Sequence, residues 1–131
     1  MIVIDASAAI ELLLGTDIGL RVGERMLSPT ERLCAPHLLD LEVTQVLRRF
    51  AQLREISGDR LLQALDDYRA LLIERSAHVD LLPRIWGLRD ALTAYDAAYI
   101  ALAEALDSPL LTCDARLARS HGHRAVIELI Q

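Results

Sequence analysis

No lysine occurs anywhere in the chain; all 14 of its basic residues are arginine. A P-loop needs its lysine beside the nucleotide phosphates, and Schiff-base catalysis needs a lysine nucleophile, so both chemistries are excluded. Aromatic residues make up only 4% of the sequence, and any core must therefore be assembled from Leu, Ile, Val and Ala. Cysteine occurs twice, at Cys34 and Cys113, with no CxxC spacing. Each closes an apolar run and reads as a small buried hydrophobe, not a zinc ligand or half of a disulfide. No apolar run reaches the roughly 18 residues of a membrane span, and no basic segment followed by an apolar one opens the chain. The expected location is the cytoplasm, with no membrane partner. A net charge of −5 argues against general polyanion binding.

What is present is a chain of 131 residues, 53% apolar and 25% charged. That is enough to bury a core and too short for two ordinary domains, so one domain over residues 1–131 is expected. Ile2 to Ile4 reads as a buried strand, followed by a helix from Ala6 to Leu14 that Gly15-Thr16 breaks. A second helical stretch, Ile18 to Leu27, stops at Ser28-Pro29, and Leu33-Cys34-Ala35 is a strand ended by Pro36. Apolar spacing at Leu39, Val43, Val46, Leu47 and Phe50 predicts a helix over Leu38 to Leu53. Ser57 suits the N-cap of a helix from Asp59 to Ile73. A strand is expected at His78 to Leu82 and a short helix over Pro83 to Leu92. Thr93 opens a helix reaching Leu106, Leu110-Leu111-Thr112 is a strand, Asp114 to Ser120 a short helix, and Ala125 to Leu129 a last strand. Alternating strands and helices imply an α/β fold with a mostly parallel sheet of four to five strands and helices on both faces.

Four carboxylates fall where charge is normally avoided. Asp5 ends the apolar run Met1 to Ile4, and Asp114 follows Leu110 to Cys113. Glu42 lies roughly 60° from the centre of its helix's apolar stripe at about 100° per residue. Asp96 heads the apolar stretch Ala97 to Ala103. Burying an ionised carboxylate costs several kcal/mol unless something pairs with it. Four such residues suggest a shared hard cation held by oxygen ligands, Mg²⁺ or Mn²⁺. Asp5 and Asp114 each follow a strand, on the edge where open parallel sheets bind ligands. Each also stands where a helix N-cap belongs, and Thr93-x-x-Asp96 has the form of a capping box. Thr112 either orients or ligates beside Asp114, or is an ordinary strand threonine.

Met1-Ile2-Val3-Ile4-Asp5-Ala6-Ser7, Leu38-x-x-x-Glu42-Val43, Ala94-Tyr95-Asp96-Ala97-Ala98-Tyr99-Ile100-Ala101-Leu102-Ala103 and Leu111-Thr112-x-Asp114-x-x-Leu117-Ala118 occur in this order along nearly the whole chain. Together they resemble the PIN-domain family, and within it the VapC-type toxins of bacterial toxin–antitoxin pairs. The resemblance implies a Mg²⁺-dependent endoribonuclease, with Mn²⁺ able to substitute and the metal held by Asp5, Glu42, Asp96 and Asp114. Metal-activated water would attack the RNA phosphodiester in line, leaving a 3′-hydroxyl and a 5′-phosphate, with Asp114 or Glu42 available as general base. Ser7 is expected to shape the loop after Asp5. Some members of the family carry a further acidic residue two positions after the last one; here that position is Arg116, which puts a second metal site there in doubt. A VapB-type antitoxin, whose C-terminal segment lies near the acidic site, is the expected partner.

An acidic nuclease needs local positive charge for its RNA. Arg116, Arg119 and Arg124, with His121 and His123, form the densest basic segment, and Arg116 and Arg119 are the candidate RNA contacts. His121-x-His123 has no evident third ligand for zinc. Apolar faces on the helices Ile18 to Leu27 and Leu38 to Phe50 point to a homodimer as well as a toxin–antitoxin hetero-oligomer. Two other classes compete. A phosphotransfer or phosphatase domain would use Asp5 as nucleophile, but its patterns also need a lysine. A catalytically inactive PIN-like scaffold would have no reason to bind Mn²⁺.

Overall fold

Ile2–Ile4 form strand β1, and all three side chains are fully buried. Successive side chains of a strand point to opposite faces, so burial of three in a row means that both faces of the sheet are covered. The structure, a computed structural model, describes residues 1–131. Four more strands follow: β2 at Leu33–Pro36, β3 at Ile73–Ser76, β4 at Leu110–Thr112 and β5 at Ile127–Leu129. They form one sheet in the order β3-β2-β1-β4-β5, and every pairing is parallel.

Parallel neighbours need crossover connections, which the helices supply. Helices α1 (Ala6–Leu14) and α2 (Asp17–Met26) lead from β1 to β2, and α3 (Leu38–Leu53) and α4 (Gly58–Ala70) lead from β2 to β3. A 3₁₀ turn at Val79–Leu81, α5 (Leu82–Gly87) and α6 (Ala94–Leu106) lead to β4, and α7 (Ala115–Ala118) leads to β5. The consecutive residues Ala97 to Ala103 are all buried because α6 crosses β1, β2 and β4. The α1 helix gathers α2, α3 and α4 around it. No helix is long and apolar enough to cross a membrane.

Strand order reverses beside β1: the chain builds outward through β2 and β3, then returns to place β4 on the other side. Ligands of open α/β sheets bind at such a switch point, beyond the carboxyl ends of the strands. Asp5 follows β1 and Asp114 follows β4, so these two residues flank that crevice. Helices α3 and α6 begin on the same edge, carrying Glu42 and Asp96 in their early turns.

The sequence expectation departs from the fold over one stretch. The helix expected to reach Ile73 ends at Ala70, and Ile73 opens β3; the strand expected at His78 to Leu82 is instead the 3₁₀ turn and the start of α5. β3 is an edge strand with one buried residue, Ile73, among Glu74, Arg75 and Ser76. It therefore lacks the apolar run that marks a central strand. Arg75 gives it another use. Its guanidinium donates to both oxygens of Asp40 at 2.9 to 3.2 Å, and Tyr68 Oη donates to Asp40 at 2.5 Å. This ties the first turn of α3, and with it Glu42, to α4 and β3.

Gly19 lets α2 approach α1 closely, because a Cβ there would lie 1.9 Å from the backbone oxygen of Glu11. Gly19→Ala is expected to lower stability by about 1–3 kcal/mol through forced separation of the helices. That outweighs the roughly 1 kcal/mol that alanine gains in helix propensity. Urea unfolding measures it, and an unchanged or raised midpoint would contradict this packing.

Glu104 of α6 has a side chain only 3% exposed. It accepts from Arg84 Nε at 2.8 Å, Arg84 Nη2 at 3.0 Å and the backbone N–H of Arg124 at 3.0 Å. Arg84 above all holds its carboxyl down from 4.5 to about 2. A carboxyl depressed on folding stabilises the fold above its unfolded value and loses that contribution as pH falls towards its folded value. The loss should therefore fall between pH 4.5 and about 2. Arg84→Ala is expected to cost about 1–3 kcal/mol at neutral pH and to flatten the acid loss within that window. Urea melts at neutral pH and near pH 3 check both effects; parallel pH profiles in the two proteins would contradict the assignment.

Candidate active site

Apart from the tyrosines Tyr68 and Tyr99, Asp5 and Thr112 are the buried residues with polar or charged side chains, and they bond to each other. Thr112 Oγ1 donates to Asp5 Oδ2, Ser7 Oγ donates to Asp5 Oδ1 at 2.7 Å, and the Ala8 N–H donates to the same oxygen at 3.0 Å. Thr112 Oγ1 accepts from the Asp114 N–H at 3.0 Å, and Ser7 Oγ accepts from the Cys113 N–H at 2.8 Å. Each hydroxyl has one proton, and with both given to Asp5 the 3.2 Å approach of Ser7 to Thr112 is a contact of two oxygens. Ser7 and Thr112 thus stitch the start of α1 to the end of β4 and hold Asp114 beside Asp5. Asp5 and Asp114 also cap α1 and α7, Asp114 accepting from the N–H groups of Arg116 at 2.8 Å and Leu117 at 3.3 Å. Capping and a place at the crevice are not alternatives here: Oδ1 of each carboxylate caps its helix, while Oδ2 accepts from Thr112 in Asp5 and lies near Arg116 in Asp114.

Glu42 is half-buried, and Tyr99 Oη donates to its Oε1 at 2.5 Å. Tyr99 is 2% exposed, and a buried tyrosine hydroxyl must find a partner. Its membership in the Ala94 to Ala103 block marks it as helical without disclosing this bond. Asp96 shows half of the expected capping box. Thr93 Oγ1 accepts from the Asp96 N–H at 3.2 Å, but the Asp96 carboxylate turns to Arg116 Nη2 at 3.0 Å. The same nitrogen lies 3.4 Å from Asp114 Oδ2. Arg116 therefore bridges two of the four acids.

The acids act on one another's charge. Burial raises the pKa of Asp5; its three hydrogen bonds pull it back in part, and the charge of Asp114 adds to the rise. Burial also raises that of Glu42, against the bond from Tyr99, with Asp96 and Asp5 adding to the rise. As the side chains stand, no three His, Cys, Asp or Glu residues form a ready set of metal ligands. Each carboxylate is engaged by a donor of the chain: Asp5 by the hydroxyls, Glu42 by Tyr99, Asp96 and Asp114 by Arg116. The donor chemistry nevertheless fits a hard divalent cation, because all four side chains offer oxygen and a positive group already sits between two of them.

The basic segment divides on folding. Arg116 enters the site, Arg119 is exposed, and Arg124 joins Arg84 on Glu104. His123 Nε2 meets Ser120 Oγ at 2.9 Å, and the pair His121 and His123 forms no metal cluster. Beside Glu42 an apolar groove runs along Leu38, Leu41, Val46 and Tyr95, with Arg49 on its rim. It continues past Leu38 and Tyr95 to Leu82 and Ile85. Leu41 and Tyr95 are 72% and 64% exposed, so the groove is an uncovered apolar surface.

Comparison with known proteins bears on the family and the fold. The family model described as PIN domain matches residues 2–121. Ribonuclease VapC12 of Mycobacterium tuberculosis is 42% identical over 130 residues, covering 99% of each chain. Ribonuclease VapC9 of the same organism is 45% identical over 117 residues, covering 89% of this chain and 88% of its own. A chain in the crystal structure of VapBC2 from Rickettsia felis bound to a DNA fragment from their promoter shares the fold, with a TM-score of 0.72 at 12% identity over the full length of both chains. With residues 2–121 matched and relatives this similar along nearly their whole length, the chain belongs to the PIN-domain family, in its VapC group.

Proposed function

We propose that this protein is a divalent-metal-dependent endoribonuclease and the toxin of a VapBC-type pair. The observation that carries the reading is the gathering of Asp5, Glu42, Asp96 and Asp114 at one sheet edge, where the charges of Asp114 and Asp5 bear on Asp5 and Glu42 respectively. Relatives of 42 and 45% identity that are named ribonucleases support the same reaction here. Asp5, Glu42, Asp96 and Asp114 would hold Mg²⁺, or Mn²⁺ in its place. The bound cation would supply charge to polarise a phosphoryl oxygen and to acidify an attacking water. Glu42, raised in pKa by burial, is suited to take that water's proton, and Tyr99 fixes which of its oxygens is free to do so. Ser7 and Thr112 aim Asp5 and offset part of the rise that burial imposes on its pKa; Arg116 and Arg119 offer cations to the RNA backbone on the rim of the site.

Incubation of total RNA with the purified protein and Mg²⁺ tests this reading, with the ends of the fragments mapped. The expected products carry 3′-hydroxyl and 5′-phosphate ends. Fragments ending in a cyclic phosphate would contradict attack by water.

Tyr99→Phe removes a hydroxyl without opening a cavity. Loss of a partner that orients a ligand typically costs 10- to 100-fold in metal affinity or activity, and a fall of that order in cleavage is expected. Stability should drop by only about 1 kcal/mol. Rate assays beside thermal melts separate the two effects, and an unchanged rate would remove Tyr99 from the positioning of Glu42.

A VapB-type antitoxin is the proposed partner. The groove beside Glu42 suits a segment with apolar side chains, and a basic residue at its end would meet the acidic site. A homodimer is proposed as well, through Leu20 and Leu27 of the second helical stretch and Leu53 at the end of α3, all more than half exposed in the single chain.

A further inference from the structure

A positive charge already lies between Asp96 and Asp114, and it belongs to the chain. Arg116 Nη2 is 3.0 Å from Asp96 Oδ2 and 3.4 Å from Asp114 Oδ2. Its backbone is anchored as well, the Arg116 N–H donating to Asp114 Oδ1 at 2.8 Å. The side chain of Arg116 is 69% exposed, against 20% for Asp96 and 34% for Asp114. Exposed ion pairs are weak and screened by salt, so the bridge suffices to hold two like charges together but yields readily to a stronger cation. The two Oδ2 atoms it occupies are the ones left over by capping: Asp114 spends Oδ1 on α7, and the Thr93 cap uses only the backbone of Asp96.

We infer that Arg116 is the resident counter-ion of the site, keeping Asp96 and Asp114 together without metal and competing with the divalent cation for the same oxygens. This rests on the metal-dependent reading proposed above. Arg116 is on this account a positioning residue that sets how much metal the site demands.

Calorimetric titration of Mn²⁺ into the metal-free full chain tests the inference, comparing wild type, Arg116→Gln and Arg119→Gln at low salt. Arg119 lies three residues on, is exposed and bonds to neither acid. It therefore controls for the loss of one nearby charge. Arg116→Gln is expected to bind Mn²⁺ roughly three- to tenfold more tightly, in keeping with the displacement of weak exposed pairs. Its metal-free melting temperature should fall, and its rise on adding Mn²⁺ should exceed that of wild type. Arg119→Gln should stay within about twofold of wild type on the same scale. Equal or weaker Mn²⁺ binding by Arg116→Gln overturns the inference and leaves the metal site standing. Equal tightening by both variants assigns the effect to net charge and overturns the bridge. No Mn²⁺ binding by any of the three folded proteins overturns the metal reading, and the inference with it.

Discussion

Asp96→Asn is expected to lower RNA cleavage about a thousandfold while leaving the fold intact. A metal ion contributes several kcal/mol of transition-state stabilisation, and each 1.36 kcal/mol is a factor of ten in rate. Loss of a ligand that forfeits about 4 kcal/mol therefore corresponds to roughly 10³-fold. The fold should survive because the helix cap does not use the substituted group. Thr93 Oγ1 bonds to the backbone N–H of Asp96, and that bond persists in the variant. What is lost is the exposed, salt-screened pair with Arg116, which contributes little to the fold. Rates on a defined RNA, set beside thermal melts, decide the matter. A variant that melts normally and cleaves at the wild-type rate would remove Asp96 from the reaction. One that is destabilised but active would make it a structural cap after all.

Expression of the chain alone is expected to arrest growth, and co-expression of a small gene encoding the proposed VapB-type antitoxin to relieve the arrest. A nuclease acting on cellular RNA is harmful at any copy number its inhibitor does not match. The groove through Leu38, Leu41, Val46 and Tyr95, open beside Glu42, gives an inhibitory segment a place next to the acids. Burial of apolar side chains there contributes affinity, and a basic side chain reaching the carboxylates would take the place that Arg116 now holds. Asp5→Asn should abolish the arrest without the partner. Equal growth of the strains expressing wild type alone, wild type with the small gene and Asp5→Asn, with the protein present and folded, would overturn the toxin assignment. The fold and the family would stand.

Strands β1 and β4 were legible because Ile2 to Ile4 and Leu110 to Thr112 are short apolar runs ending in Asp or leading to it. The helix Leu38 to Leu53 and the start at Thr93 were legible from spacing and capping chemistry, and the structure has them at those bounds or one residue away. The edge strand Ile73–Ser76 was not. Leu71, Leu72 and Ile73 extend the apolar pattern of the preceding helix, no Gly or Pro stops it, and three of the four strand residues are polar. Among the site residues, the four acids stood out as charges ending or heading apolar runs. Their partners did not, because a hydrogen bond from Tyr99 to Glu42 joins residues 57 apart in sequence. The bond from Thr112 to Asp5 spans 107 positions. Sequence alone also leads one to expect unrelieved repulsion between the acids, and hence stabilisation or no change when Asp96 is neutralised. Arg116 changes that balance, since neutralising Asp96 now also removes an ion pair.

Dependence of cleavage on divalent metal, measured on one preparation, tests the central claim most directly. The purified protein is stripped with EDTA, assayed on RNA, then reassayed after adding excess Mn²⁺, with Asp5→Asn carried through the same steps. The account predicts no cleavage after stripping, full recovery with Mn²⁺ in wild type, and none in the variant. Cleavage that persists in EDTA, or that Asp5→Asn recovers equally with Mn²⁺, would contradict it.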